Sequence, residues 1–114
     1  MRLYMIERSA ADPVRSAAWY AEVLGLQVTL RDEAGGFVLL EGAGLRLGLK
    51  RGEGGGSGDA RLSFLVDDLE AERSRLAAVF SVGEVRANEA ERYREFRVAD
   101  PDGRQVRFFA WGLG

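Results

Sequence analysis

The sequence predicts an α+β fold in which one small unit, a strand, a helix and three further strands, occurs twice. Segments of alternating polar and apolar residues surround two segments with helical spacing. The aspartates that begin the two helices, Asp12 and Asp68, are 56 positions apart. Because half a chain of this size has too little core of its own, each unit must bury its sheet against the other. We expect a single domain at 1–114, with modules at 1–50 and 60–114 and a Gly-rich linker at 51–59.

The first module starts with a strand candidate at Arg2 to Arg8. Asp12 then caps a helix whose first turn contains Pro13, where the missing N–H costs nothing. Gly25 stands where a left-handed residue ends a helix. Glycine-rich turns separate the three strands that follow, which we predict at Gln27 to Arg31, Gly36 to Glu41 and Leu45 to Lys50.

The second module repeats this pattern, beginning with an alternating strand at Arg61 to Asp67. Asp67, with Glu70 three residues later, resembles a capping box. We predict a helix from there to about Phe80, with Leu69, Leu76 and Phe80 as its apolar contacts. A strand near Val82 to Ala87 and a polar loop at 88–92 complete the module up to its final hairpin.

The final hairpin turns at Asp100-Pro101-Asp102-Gly103, in which proline and glycine supply the two backbone angles that a tight turn needs. Alternation predicts that the two strands share one apolar face. The opposite face of the last strand is the candidate for function. The shared face carries Arg94, Phe96, Val98, Val106, Phe108 and Ala110, and the opposite residues on the last strand are Gln105, Arg107, Phe109 and Trp111.

Composition excludes several classes of function. The net charge of −2 gives no general case for binding nucleic acid. The chain has neither cysteine nor histidine, so it lacks thiolate nucleophiles and the commonest metal ligands. The Gly/Ser-rich stretch at 51–59 lacks the Lys and Ser/Thr of a phosphate-binding loop and is interpreted as a linker. No apolar run is long enough to span a bilayer, and we expect a cytoplasmic protein with no membrane partner.

The ordered motifs resemble the vicinal oxygen chelate superfamily, which includes glyoxalase I, bleomycin-resistance proteins and extradiol dioxygenases. The matching residues span almost the whole chain and comprise Asp12, Trp19-Tyr20, Leu24-Gly25, Val66-Asp67-Asp68-Leu69-Glu70-Ala71 and Asp100-Pro101-Asp102-Gly103. The resemblance implies two βαβββ modules whose curved sheets form a half-open, barrel-like structure around a cavity. It also implies a homodimer.

Metalloenzymes of this superfamily hold a divalent ion at positions that the resemblance places at Met5, Arg61 and Arg107, with a fourth near Leu47 or Gly48. A guanidinium group is positively charged and offers no lone pair to a metal. We therefore expect no metal and no other cofactor, and no metal-dependent glyoxalase or dioxygenase activity.

Strand parity relative to these positions defines a predicted ligand pocket, lined by Met5, Glu7, Arg61, Ser63, Arg107, Phe109 and Trp111. The aromatic rings can stack on a flat ligand, and the arginines can bind a carboxylate or phosphate. Alternatively, Glu7 neutralises Arg61 or Arg107 in a structural ion pair, because partly buried charges usually find internal partners.

Four other features of the sequence have two possible interpretations, one structural and one functional. Trp19 and Tyr20 have the spacing of core residues, but either could contact a ligand. Tyr93 could face the cavity or solvent. Glu41 could act as a base or be solvated, and the loop at 89–92 could be an exposed loop or a lid.

Three function classes remain. The preferred one is a metal-independent protein that binds an aromatic or anionic small molecule, including sequestration of an antibiotic or toxic compound. The alternative is a lyase or isomerase without a metal, for example with Glu7 as the base and an arginine stabilising an oxyanion. A carboxylate beside arginines has a lowered pKa, which makes a poor base. The third is a structural dimer module in a larger assembly.

Overall fold

A computed structural model of the chain describes residues 2–53 and 61–114. Over these residues two helices and eight strands follow one another in the order predicted from the sequence. Their bounds are β1 Ile6–Ala10, α1 Pro13–Leu24, β2 Gln27–Asp32, β3 Phe37–Gly42, β4 Leu45–Arg51, β5 Leu62–Leu65, α2 Leu69–Ala77, β6 Arg86–Asn88, β7 Tyr93–Ala99 and β8 Gln105–Trp111. The predicted α+β class with two βαβββ modules is confirmed.

The two modules have the same sheet topology. In the first sheet the strand order is β1-β4-β3-β2, and in the second it is β5-β8-β7-β6. The first strand of each module runs parallel to the last, and the other neighbours are antiparallel. The chain forms two compact units, and Asp100–Asp102 belong to the first of them. Most of the predicted linker at 51–59 lies outside the described residues, so the module boundaries stay a prediction.

The first unit is organised around α1, which packs on β3 and β4. Asp12 caps the helix by accepting a hydrogen bond from the backbone N–H of Arg15 at 3.2 Å, and Gly25 closes it with φ of 69°. Both predicted ends are therefore confirmed. The buried face of the helix lies on a core of aliphatic strand residues, Val38, Leu40, Leu47 and Leu49.

A buried polar network ties the predicted Asp-Pro-Asp-Gly turn to the rest of the first unit. The Tyr20 hydroxyl donates to Asp100 Oδ2 at 2.6 Å and accepts from Arg8 Nη1 at 2.7 Å. Asp102 accepts from the backbone N–H of Ala11 at 3.1 Å and from Ser16 Oγ at 3.2 Å. Burial raises the pKa of Tyr20, and its hydrogen bond to Asp100 raises it further. The polar partner expected for a buried Tyr20 is thus Asp100.

In the second unit the structure selects one of the two predicted helix starts, Asp67 and Asp68, and corrects the predicted end. The N-cap is Asp68, which accepts from the backbone N–H of Ala71 at 3.0 Å, rather than Asp67. The helix ends at Ala77, before Phe80, and the N–H groups of Val79 and Phe80 share the carbonyl of Leu76 in the turn that follows.

Three strands are shorter than predicted, including β5, which spans Leu62–Leu65 instead of Arg61 to Asp67. β1 begins at Ile6 instead of Arg2, and β6 begins at Arg86 instead of Val82. Before β6, the N–H of Gly83 bonds to the carbonyl of Arg97 at 2.8 Å. This segment is therefore joined to β7 by a backbone hydrogen bond outside the regular strand pairing, which begins at Arg86. Within residues 2–53 and 61–114, neither helix is long and apolar enough to cross a bilayer.

The hairpin of β7 and β8 buries the face that alternation predicts. Phe96 and Phe108 stack with ring centroids 5.1 Å apart, and Val98 and Val106 are fully buried beside them. On the same side, Arg94 pairs with Glu70 of α2. Because successive strand residues point to opposite faces, the side chains between these residues project from the side of the sheet away from α2. We call this side the open face.

Candidate functional site

The open face of the second sheet brings charged and aromatic side chains together through strand register. Across β7 and β8, Glu95 is opposite Phe109, and Arg97 is opposite Arg107. On the outer strands, Ser63 of β5 is opposite Arg107, and Arg86 of β6 is opposite Glu95. Neighbouring strands lie about 4.8 Å apart, so this register places one carboxylate among three guanidinium groups.

Glu95 is the centre of the charged cluster. Its Oε1 accepts hydrogen bonds from Arg97 Nε at 3.0 Å and Nη2 at 2.9 Å, and its Oε2 accepts from Arg107 Nε. Burial alone raises the pKa of Glu95, but hydrogen bonds and charge from Arg107 and Arg97 outweigh burial and hold it below its usual value. The carboxylate therefore stays ionised at neutral pH and has little basicity.

Arg107 is held from several sides. Its guanidinium carbon lies 4.8 Å from the ring centroid of Tyr93 and 4.7 Å from that of Phe109, which are cation–π distances. Its Nη1 lies 3.4 Å from Ser63 Oγ, to which it donates. With Glu95 on Nε, most of the binding capacity of Arg107 is already used within the protein.

The aromatic side chains of the open face form a cluster of edge contacts. Trp111 lies 5.3 Å from Phe109 and 6.3 Å from Tyr93, with both ring pairs nearly perpendicular. The Tyr93 hydroxyl accepts a hydrogen bond from Asn88 Nδ2 at 3.2 Å. Trp111 remains 64% exposed, which leaves it accessible for stacking on a ligand.

A cavity of about 480 Å³ opens beside the charged cluster in the second unit. Its volume lies within the range of small-molecule sites. The wall is formed by the segment before β6 together with the open face of β7 and β8. The polar residues and the glycine used below are Ser81, Gly83, Glu84, Arg86, Glu95, Arg97 and Gln105.

The structure brings together four of the seven predicted ligand residues. Ser63, Arg107, Phe109 and Trp111 share the open face, and Arg61 lies just before β5 in the same unit. None of these five is among the residues described as lining the 480 Å³ cavity, which instead shares Glu95 and Arg97 with the charged cluster.

The other two predicted residues, Met5 and Glu7, lie in the first unit. A β-carbon added to Gly48 would be 3.1 Å from Met5 Sδ and 2.9 Å from the Phe37 ring, so the absent side chain leaves room for both. Glu7 is exposed and opposite Gly48 in the sheet. A ligand pocket shared by all seven residues stays a prediction.

The carboxylate that pairs with Arg107 is Glu95, whereas the sequence analysis considered Glu7 for this role. The sequence analysis also missed Arg97 and Arg86. A signal was present, because Tyr93, Glu95 and Arg97 share one parity opposite the apolar Phe96 and Val98. The structure places Tyr93 on the open face beside Arg107, and a contact between Tyr93 and a ligand stays a prediction.

Glu41, the other candidate base, pairs with Arg46 in the first unit at 2.7 Å. That hydrogen bond lowers the pKa of Glu41. Trp19 packs edge-on against Tyr20 with ring centroids 4.9 Å apart and is half-buried, as a helix residue in a core would be. Neither residue adds a reactive group to the open face.

The donor set does not fit a divalent metal. The chain contains no histidine or cysteine. Among residues 2–53 and 61–114, no three Asp or Glu side chains are grouped as metal ligands would be. The carboxylate of the open face is engaged by two arginines, whose positive charge opposes a cation.

Solved structures with the same fold include enzymes and resistance proteins. The fosfomycin resistance protein FosX from Listeria monocytogenes superposes with a TM-score of 0.83 at 14% identity, covering 99% of this chain and 95% of that one. Lactoylglutathione lyase from Agrobacterium tumefaciens gives 0.77 at 20% identity, covering 98% and 97%. A glyoxalase/bleomycin resistance protein/dioxygenase from Nocardioides gives 0.75 at 18% identity, covering 100% and 87%. These likenesses show the fold, which is the one implied by the resemblance to the vicinal oxygen chelate superfamily.

A family model described as a glyoxalase-like domain matches residues 5–109. The chain therefore belongs to the glyoxalase-like domain family of this superfamily. No curated protein sequence matches it.

Proposed function

We propose that the protein is a metal-independent small-molecule binding protein that holds an aromatic or anionic ligand on the open face of the second sheet. The observation that carries the proposal is the juxtaposition of the Glu95, Arg97 and Arg107 cluster with exposed Trp111. Arginine presents fork-shaped donors to carboxylates and phosphates, and an aromatic ring stacks on flat molecules. The adjoining 480 Å³ cavity supplies the volume for such a ligand.

Metal independence follows from the chemistry of the available donors. The positions that the family resemblance assigns to metal ligands hold Met5, Arg61 and Arg107, none of which is a carboxylate or imidazole. A fold shared with metalloenzymes does not carry their chemistry when the ligand positions differ.

A binding role is favoured over the alternative, a non-metal lyase or isomerase. A general base works best when its pKa is near the operating pH. Arginine partners lower the pKa of both Glu95 and Glu41, so each would be a weak base. Proton abstraction therefore has little support on the open face.

The structural neighbours include a fosfomycin resistance protein and a glyoxalase/bleomycin resistance protein/dioxygenase, so sequestration of a toxic compound is part of the proposal. The arginines disfavour a strongly cationic drug and favour an anionic one. We further propose that the protein acts in the cytoplasm and forms a homodimer. Light scattering of the purified protein would measure its molar mass and so check the dimer.

Saturable binding of a small aromatic acid tests the proposal directly. In a Trp19→Phe background, Trp111 is the single tryptophan, so its fluorescence reports events on the open face. We expect benzoate and phenylphosphonate to change this fluorescence in a saturable way and to raise the melting temperature. Arg107→Ala should weaken binding about tenfold or more, because it removes the group that holds Glu95, Tyr93 and Phe109 in place.

Arg31→Ala is the matched control, because Arg31 forms an exposed ion pair with Glu33 in the first unit. This variant should bind like the parent protein. Unchanged affinity in both Arg107→Ala and Trp111→Ala, the latter followed by thermal shift, would remove the open face as the site.

A further inference from the structure

The charged cluster of the open face carries more positive charge than its carboxylate neutralises. Arg86, Arg97 and Arg107 surround Glu95 through the register of β6, β7 and β8. The second carboxylate of the cavity wall, Glu84, is 88% exposed at its side chain and lies 3.8 Å from Arg73, outside this cluster. Like charges held close together repel, and an anion placed between them removes that repulsion.

The three arginines differ in how much of their binding capacity is already used. Arg107 is bound to Glu95 and Ser63 and covered by two rings. Arg97 places Nε and Nη2 on Oε1 of Glu95, which engages as many nitrogens as in Arg107, but its side chain is 41% exposed against 18% for Arg107. The exposed Arg86 side chain forms no ion pair or hydrogen bond with any residue in the described part of the chain. Free guanidinium donors are therefore concentrated on Arg86 and Arg97.

Both of these arginines line the 480 Å³ cavity, whereas Arg107 does not. The cavity also presents Gln105 and Ser81, whose side chains can donate further hydrogen bonds. Its wall before β6 is fixed at Gly83, which donates to the carbonyl of Arg97 at 2.8 Å and accepts from Arg73 Nε at 2.9 Å. The backbone of this wall is thus fixed on β7, and the main ordering cost of binding is that of the exposed Arg86 side chain.

We propose that Arg86 and Arg97 form the oxyanion subsite of this cavity and bind the carboxylate or phosphonate group of the ligand. This assignment rests on the proposed function and makes it more specific. Arg107 is then a positioning residue, which keeps Glu95 and the aromatic rings in place but does not contact the anion. Trp111 lies four strand positions from the level of Arg97 and does not line the cavity, so the acid group of a short aromatic acid occupies the cavity and its ring points along β8 toward Phe109.

Isothermal titration with benzoate, benzamide and inorganic phosphate tests the subsite. Benzoate and benzamide have the same ring and differ in charge. We expect benzoate to bind at least about tenfold more tightly than benzamide, because a hydrogen bond to a charged group contributes more than one to a neutral group. Phosphate should compete with benzoate, which would show that the subsite recognises the oxyanion itself.

Arg86→Gln and Arg97→Gln should each weaken benzoate binding about tenfold and leave benzamide binding unchanged. Arg86→Gln is the cleaner variant, because Arg86 has no described ion pair to lose. Arg75→Gln removes the same charge from the exposed surface of α2 and should leave benzoate affinity within about twofold. Circular dichroism confirms that each variant is folded.

Benzamide binding as tightly as benzoate, or unchanged benzoate affinity in both cavity variants, would overturn the subsite while leaving the proposed binding function intact. Absence of saturable binding by both aromatic compounds would overturn the proposed function and the subsite with it.

Discussion

Replacing Asp100 by alanine should lower the free energy of unfolding by about 3 to 5 kcal/mol, the cost of removing one partner from a buried charged network. The Asp100 side chain is 2% exposed and accepts from Tyr20, while the Arg8 side chain is 8% exposed and lies 3.9 Å away. Without this carboxylate, the buried Arg8 guanidinium loses the opposite charge that lies 3.9 Å from it. Urea unfolding followed by the fluorescence of Trp19, in a Trp111→Phe background, measures the loss.

Tyr20→Phe separates the contribution of the hydrogen bonds in this network to stability from the contribution of its charges. It keeps the packing of the ring but removes the hydroxyl that joins Arg8 to Asp100, so we expect a loss of about 1 to 3 kcal/mol. Glu33→Ala, in an exposed ion pair, should cost less than about 1 kcal/mol. An Asp100→Ala loss no larger than that of Glu33→Ala would contradict the structural role assigned to the turn.

Glu95→Gln should have opposite effects on stability and on anion binding. At neutral pH the substitution removes a carboxylate that accepts charge-assisted hydrogen bonds from Arg97 and Arg107, and we expect a loss of about 1.5 to 3 kcal/mol in the free energy of unfolding. The same change releases both arginines from their internal anion. Benzoate should therefore bind the variant more tightly than the parent protein.

The stability effect of Glu95→Gln also has a defined pH dependence. The pKa of Glu95 in the folded protein lies below the ordinary value of 4.5. Its stabilising effect is therefore complete above about pH 4.5 and lost as the pH falls through the folded-state pKa. Unfolding curves of parent and variant should differ most at neutral pH and converge on acidification. A difference that grows on acidification, or weaker benzoate binding by the variant, would show that Glu95 is not the internal counter-ion.

The sequence predicted the fold well because its strongest signals are local. Asp12, Pro13 and Gly25 each satisfy a backbone requirement at a helix end, and the structure uses all three as predicted. For the second helix the sequence offered both Asp67, in a capping box, and Asp68 as the start, because two adjacent aspartates offer the same chemistry and only the helix geometry selects Asp68.

The candidate site was only partly predictable, because its pairings are between strands. Alternation indicated the faces of Arg107, Phe109 and Trp111, but no spacing within the chain shows which carboxylate reaches Arg107. That partner, Glu95, comes from the antiparallel register of β7 and β8, which places a residue 12 positions away in contact. The cavity beside Arg86 depends on how the segment before β6 meets β7, and a backbone contact at Gly83 decides this.

The central claim is that arginines of the open face, and not a metal, hold the ligand. The most direct measurement is a pair of benzoate titrations by calorimetry, one on protein dialysed against EDTA and one after adding Zn²⁺ or Mn²⁺. We predict the same affinity in both, with about tenfold weaker binding by Arg97→Gln in either condition. Benzoate binding that appears only with added metal, and that survives the loss of Arg97, would contradict the account.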